Sequence, residues 1–282
     1  MGLGMQARRV GWRFGYEIHQ HMRGARRIPF RVRRAQPVGP LRTGRRAVPT
    51  SFEVDVDRCT SFLGFSFAPS GWNPLVATLR EYAVDPSLAY EASSLARAHE
   101  LFQPVTLHAL LFDTSVSEPL EPLGGIGPDR RFYRYVWKVS PALVATALAA
   151  EPRHSPNYSF GPLEPARAVD EFDRLIATYC SIRDTGYRPD TYGHVTGYFI
   201  GDDRDHRFVV GSGNHRVAAL AVLGIDRMPA RLHSHPAAIH RSQLPLWMPE
   251  HGGPFRAPTA AALFELLFDD DGSARADRLQ LR

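Results

Sequence analysis

Cysteine is scarce: 282 residues contain only Cys59 and Cys180, far apart in sequence. That excludes a disulfide framework and fits reduced, buried thiols. Long hydrophobic runs are missing too. No stretch approaches the roughly 18 apolar residues of a membrane-spanning helix. The first ten residues lack the apolar core of a secretory signal, and Gln6 stands where a myristoylation motif requires Ser or Thr. A cytoplasmic location is the expectation. Zinc-site spacing is absent. His233, His235 and His240 lie close together, but with neither paired cysteines nor an HExxH, so they read as a surface loop. There is no internal repeat, and neither a P-loop nor a Rossmann fingerprint occurs at the glycine turn described below.

Acidic residues are nearly missing from one end. The segment 1–46 carries twelve arginines against the single acid Glu17, while the whole chain has a formal charge of +5, so the remainder is net acidic. The basic segment is a separate matter from the folded body. Three readings compete for it: a disordered tail, a basic element lying on an anionic membrane surface, or a contact to nucleic-acid phosphates.

What is present is ordinary for a globular protein: 44% hydrophobic and 22% charged residues. Alternation predicts a strand over 51–56, and an aromatic run a second over 62–67. Trp72-Asn73-Pro74 opens a helix to about Tyr82, and 89–101 is helical. An apolar run follows Pro104 up to Phe112. The stretch 117–129 is a Pro- and Gly-rich connector. A strand over 136–139 and a short helix over 141–149 follow, then a loop over 153–165. Helical spacing of Val169, Phe172, Leu175, Ile176, Tyr179 and Ile182 predicts a helix from Pro165. Strands are expected over 193–200 and 208–210, joined by an acidic turn, with a last strand over 230–232. Thr259 is placed as the cap of a final helix over 260–268, and the chain from Asp269 as frayed.

One stretch organises the rest. Phe208 to Val210 is a buried strand, Gly211 and Gly213 break it, and Val217, Leu220, Ala221 and Leu223 mark a helix that Gly224 stops. A helix that starts on a glycine turn presents unpaired N–H groups and partial positive charge, which suit a phosphate. Asn214, His215 and Arg216 sit in that first turn. Arg216 offers a fork of donors for phosphate oxygens, His215 a proton, Asn214 a donor and an acceptor. The bland alternative is a turn whose polar residues only cap the helix.

Gly213-Asn214-His215-Arg216-Val217-Ala218-Ala219 resembles the glycine, arginine and alanine motif of the ParB/sulfiredoxin superfamily. Upstream, Ser181-Ile182, Gly186 and Pro189 are similar to the segment that precedes this strand in ParB-like domains. Downstream, Leu223-Gly224 and Met228-Pro229 are similar to its ending. The likeness covers about 175–232, a minority of the chain.

The resemblance implies an α+β fold: a small mixed sheet flanked by helices, with a ParB/sulfiredoxin-like domain over 151–282. The residues 50–150 form a mixed α/β N-terminal extension, and 1–49 the basic tail. It also implies a nucleotide-phosphate site built from Gly211, Ser212, Gly213, Asn214, His215, Arg216 and Arg188. Sulfiredoxins need a cysteine where this chain has Asn214, so their thiol chemistry is not expected. A ParB-type DNA clamp needs a helix-turn-helix after the nucleotide domain, and none is legible after Leu232. The branch similar to free-serine kinases remains, needing positioning and charge stabilisation rather than a special nucleophile. The expectation is a nucleotide-dependent phosphotransferase. It would use ATP or another nucleoside triphosphate with Mg2+ and a small hydroxyl acceptor. His215 would orient or protonate a phosphate oxygen, and Glu171 or Asp190 would act as base. The alternative is a non-catalytic nucleotide-binding module, regulatory or scaffolding.

Overall fold

The computed structural model describes residues 51–112, 158–232, 238–247 and 257–282. The expectations for 1–49, 117–129, 136–139 and 141–149, and those for His233 and His235, lie outside the described residues. So does the loop over 153–165 as far as residue 157. In chain order the elements are β1 (Ser51–Asp55), β2 (Cys59–Ser61), α1 (Pro74–Val84), α2 (Ser94–Leu101), α3 (Leu107–Phe112), α4 (Pro165–Thr185), α5 (Pro189–Tyr192), β3 (Val195–Gly201), β4 (His206–Ser212), α6 (Asn214–Val222), β5 (Arg227–Leu232), β6 (Ala238–His240), α7 (Ala257–Phe268) and α8 (Ser273–Arg278). Among the described residues no helix is long and apolar enough to cross a membrane.

The fold is α+β, built on one mixed sheet of order β1-β5-β3-β4-β2, with β6 also on β3. β3 and β4 form the antiparallel hairpin expected of the strands over 193–200 and 208–210. β5 and β6 both run parallel to β3, pairing with its first and last residues in turn. β1 joins β5 antiparallel, and β2 joins β4 parallel. Residues 51–61 thus supply both outer strands of the sheet order.

Period-two alternation splits the strands between two cores. Tyr198, Ile200 and Val209 face one core, which Phe264 and Leu267 of α7 and Leu110 of α3 cover. Val195, Phe199, Phe208 and Val210 face the other, covered by Leu79 of α1, Phe172 and Leu175 of α4, and Val217 and Leu220 of α6. Helices therefore cover both faces of the sheet. This explains why β3 and β4 read as nearly continuous apolar runs: neither face is wet.

Three local expectations are corrected. The residues 62–67 are not a strand. Ser61 Oγ accepts from the N–H groups of Leu63 and Phe65, both at 3.2 Å, and Gly64 takes a left-handed φ of 77°. The hydroxyl curls the chain where aromatic content alone suggested extension. The chain after Asp269 is not frayed either: it forms α8, whose Arg275 and Ala276 are 1% and 0% exposed. Thr259 is the buried third residue of α7, not the residue that precedes the helix.

Burial also sets a pH dependence. Desolvation holds the imidazoles of His99 and His206 below their ordinary value of 6.5, and for His206 the nearby Arg58 adds to the effect. A ring that resists protonation when folded binds fewer protons than when unfolded. Stability is then complete above about pH 6.5 and falls as pH drops through that value. The melting temperature should fall between about pH 7 and pH 5, and His99→Gln should flatten that slope. A melting temperature that rises on acidification in this window would contradict the assignment.

Candidate functional site

β4 runs into Gly213, whose φ of 98° lies in the left-handed region, and α6 begins at the next residue. A Cβ at Gly213 would stand 2.8 Å from Arg216 Nη2 and 3.1 Å from Val195 Cγ2. The missing side chain lets the guanidinium of Arg216 fold back over the turn. There it donates to the carbonyls of Gly193 and Tyr192, the latter at 3.4 Å. No side chain caps α6, and Val217 is the first residue to donate back, to Gly213 O at 3.1 Å. The N–H groups of Asn214, His215 and Arg216 are thus left without intrahelical acceptors. Asn214 Oδ1 is buried and has no hydrogen-bond partner among the described residues, so a donor brought by a ligand would satisfy it.

This turn opens into a cavity of about 730 Å³. Its position follows from the topology. β2 and β4 are parallel neighbours, and each leads from its carboxyl end toward a helix, α1 and α6 respectively. A crevice at the carboxyl ends of parallel strands is where open sheets bind ligands. The loop 61–65 and the start of α1 form one wall, and α4 forms the opposite one. Glu171, Arg174, Thr178 and Ile182 line that wall at helical spacing.

The chemical centre is a pair of side chains that are 44 positions apart in the sequence. Glu171, only 7% exposed, accepts from His215 Nε2 at 2.7 Å through Oε1. Its Oε2 lies 3.4 Å from Arg174 Nη1. An ionised carboxylate has about four lone-pair positions, and these partners use two of them, so Glu171 can still accept from a ligand. Arg174 also sits 5.7 Å over the ring of Tyr158. The backbone there is fixed by the buried His99: its Nε2–H donates to Tyr158 O at 3.1 Å, which leaves Nδ1 to accept from Tyr90 Oη at 3.1 Å.

Of the residues singled out from the sequence, Gly211, Ser212, Gly213, Asn214, His215, Arg216, Arg188 and Glu171 all line this one cavity. Asp190 does not. It is exposed on α5, 3.9 Å from His194 Nε2. Sequence reasoning missed Tyr158 and the 61–65 loop as cavity walls. The only trace of them was the helix start at Asn73-Pro74, and nothing in it said that α1 opens onto the same space as α6. Neither cysteine lines the cavity: Cys59 is the buried first residue of β2, and Cys180 lies 3.9 Å from Tyr82 Oη. Among the described residues no three His, Cys, Asp or Glu side chains gather as a metal site. No protein-family model matches the chain, and no curated protein or solved structure matches it.

Proposed function

We propose that this chain is a nucleotide-binding member of the ParB/sulfiredoxin superfamily. In this reading it transfers the terminal phosphoryl group of a nucleoside triphosphate, ATP foremost, to the hydroxyl of a small acceptor. The observation that carries the reading is the Glu171–His215 pair. It puts a buried carboxylate beside an uncapped helix N-terminus and Arg216, within one ligand-sized cavity. Phosphate oxygens accept from the N–H groups of Asn214 to Arg216 and from the Arg216 fork. Glu171 takes the proton of the acceptor hydroxyl as the new O–P bond forms. The bond to the departing nucleoside diphosphate breaks, and its electron pair leaves on the diphosphate oxygen. His215, held to Glu171, fixes the carboxylate's aim and presents a donor next to the phosphates.

Mg2+, when bound, would neutralise charge between the phosphates. Glu171 is the one carboxylate of the cavity wall among the described residues, and His215 and Arg174 already engage it. The ion would therefore arrive on the nucleotide, not at a site prepared by protein ligands.

The same double engagement favours a second reading, a module that binds nucleotide without turning it over, because His215 and Arg174 already occupy both oxygens of the carboxylate. Incubating purified protein with Mg2+ and ATP labelled on the γ-phosphate, with and without hydroxyl acceptors, separates the two. Acceptor-dependent label transfer supports the phosphotransferase, and saturable binding without transfer supports the module. The twelve arginines of 1–46 support an added contact to an anionic surface, membrane or nucleic acid. A steep fall of binding with salt on DNA or RNA alone would mark the latter.

A further inference from the structure

The cavity has two unlike ends, and the difference bears on the acceptor. The wall of α4 from Glu171 to Ile182 covers eleven helical steps, about 16 Å at roughly 1.5 Å each. At the Glu171 end, Arg174 lies over the Tyr158 ring, and Leu95 sits one helical turn before the His99 that holds Tyr158 O. Phe65 meets the Phe160 segment through Phe102, and Asn73 joins Phe65 to Leu75. This end is tied together by the His99–Tyr158 bond and by Arg174 over the Tyr158 ring. Two of its polar side chains already serve the fold. Asn73 accepts from Leu75 N and donates to Phe65 O, and Ser61 Oγ accepts from two backbone N–H groups. Its one arginine, Arg174, is paired with its one carboxylate. The other end, beyond Ile182, holds Gly186, Arg188 and Tyr192 and adjoins Arg216. No carboxylate of the wall faces these two arginines among the described residues.

We infer that the nucleotide occupies the arginine end and the acceptor the apolar end. The acceptor is then an uncharged hydroxyl compound with an apolar or aromatic body, and not an amino acid or a sugar phosphate. The inference rests on the phosphotransferase reading. A general base must lie within about 2.6–3.2 Å of the proton it takes, so the reacting hydroxyl belongs beside Glu171. The rest of the acceptor then meets Phe65, Leu95 and Tyr158. A carboxylate or phosphate there would be desolvated next to Glu171 with no unpaired cation to meet it. The polyphosphate, rich in negative charge, is matched instead to Arg216 and Arg188.

The test is ADP formation from Mg-ATP by the full chain with 3-phenylpropanol, serine and glycerol 3-phosphate as acceptors, each over a full concentration range. The expected result is a kcat/KM for 3-phenylpropanol at least tenfold above that for the two charged compounds. Leu75→Glu should raise the KM for the alcohol at least tenfold and leave ATP affinity within about twofold, and Arg188→Ala should do the reverse. Should Leu75→Glu fail to fold, Ser159→Glu at the same end serves in its place. Preference for serine or glycerol 3-phosphate overturns the inference while leaving the phosphotransferase reading intact. So does an ATP affinity that follows Leu75 and ignores Arg188. Absence of ATP binding to the wild-type protein overturns both.

Discussion

Arg275→Ala should lower the melting temperature by on the order of 10 °C. Arg275 is 1% exposed, and the two arms of its guanidinium hold together parts of the chain that are far apart in sequence. Nη1 donates to Leu63 O at 2.6 Å and Nη2 donates to Leu110 O. Its charge lies 4.8 Å from the Phe102 ring centroid and 5.5 Å from that of Phe65. Alanine would leave two buried carbonyls without these donors, each costing about 1–3 kcal/mol. The loss of the stem adds a cavity to that. The two carbonyls together account for about 2–6 kcal/mol before the cavity is counted. Leu63 lines the functional cavity, so the damage reaches its floor. Lysine, with one compact ammonium in place of a fork, should recover only part of the loss. A melting temperature for Arg275→Ala within a degree or two of the wild type would show that α8 is not a fastening.

Glu171→Gln should cut phosphoryl transfer by about 10²-fold or more while leaving nucleotide affinity within about twofold. Glutamine keeps the shape and can still accept from His215 through its amide oxygen, so the 2.7 Å contact has an uncharged replacement. What it loses is the ability to take a proton. The split is the informative part. A carboxylate that only shaped the wall would change binding and turnover together, and one that only paired with Arg174 would change neither much. Rate constants from label transfer, set beside affinities from direct titration, distinguish these cases. Unchanged turnover in Glu171→Gln would remove Glu171 from the chemistry.

How far the sequence reveals these groups depends on the range of the cause. The turn at Gly213 was legible because it is local: an apolar run, two glycines and a helical pattern follow one another, and the backbone has few ways to accommodate them. The length of α4 was legible to within three residues for the same reason, since Phe172, Leu175, Tyr179 and Ile182 form one buried stripe. That Glu171 meets His215 was not legible. α4 and α6 are brought together by packing on a shared sheet face, and no local pattern records which turn of one helix faces which turn of the other. Asp190 shows the limit most clearly. As a residue type it was as good a base as Glu171, but α5 leaves it exposed near His194. Arg275 was hidden by its neighbours. A polar stretch of Asp, Gly, Ser and Arg reads as a frayed end, and the carbonyls and rings that bury this arginine come from positions 63, 65, 102 and 110.

The central claim is that the turn between β4 and α6 holds the phosphates of a nucleotide. Calorimetric titration of Mg-ATP into the wild-type chain and into Arg216→Ala tests it most directly, with thermal melting of both to show that the Arg216 contacts to Tyr192 and Gly193 are not needed for folding. Saturable binding to the wild type is expected, with an affinity at least tenfold weaker in Arg216→Ala, about 1.4 kcal/mol or more. Equal affinity in the two proteins, or a wild-type chain that takes up no nucleotide, would contradict it.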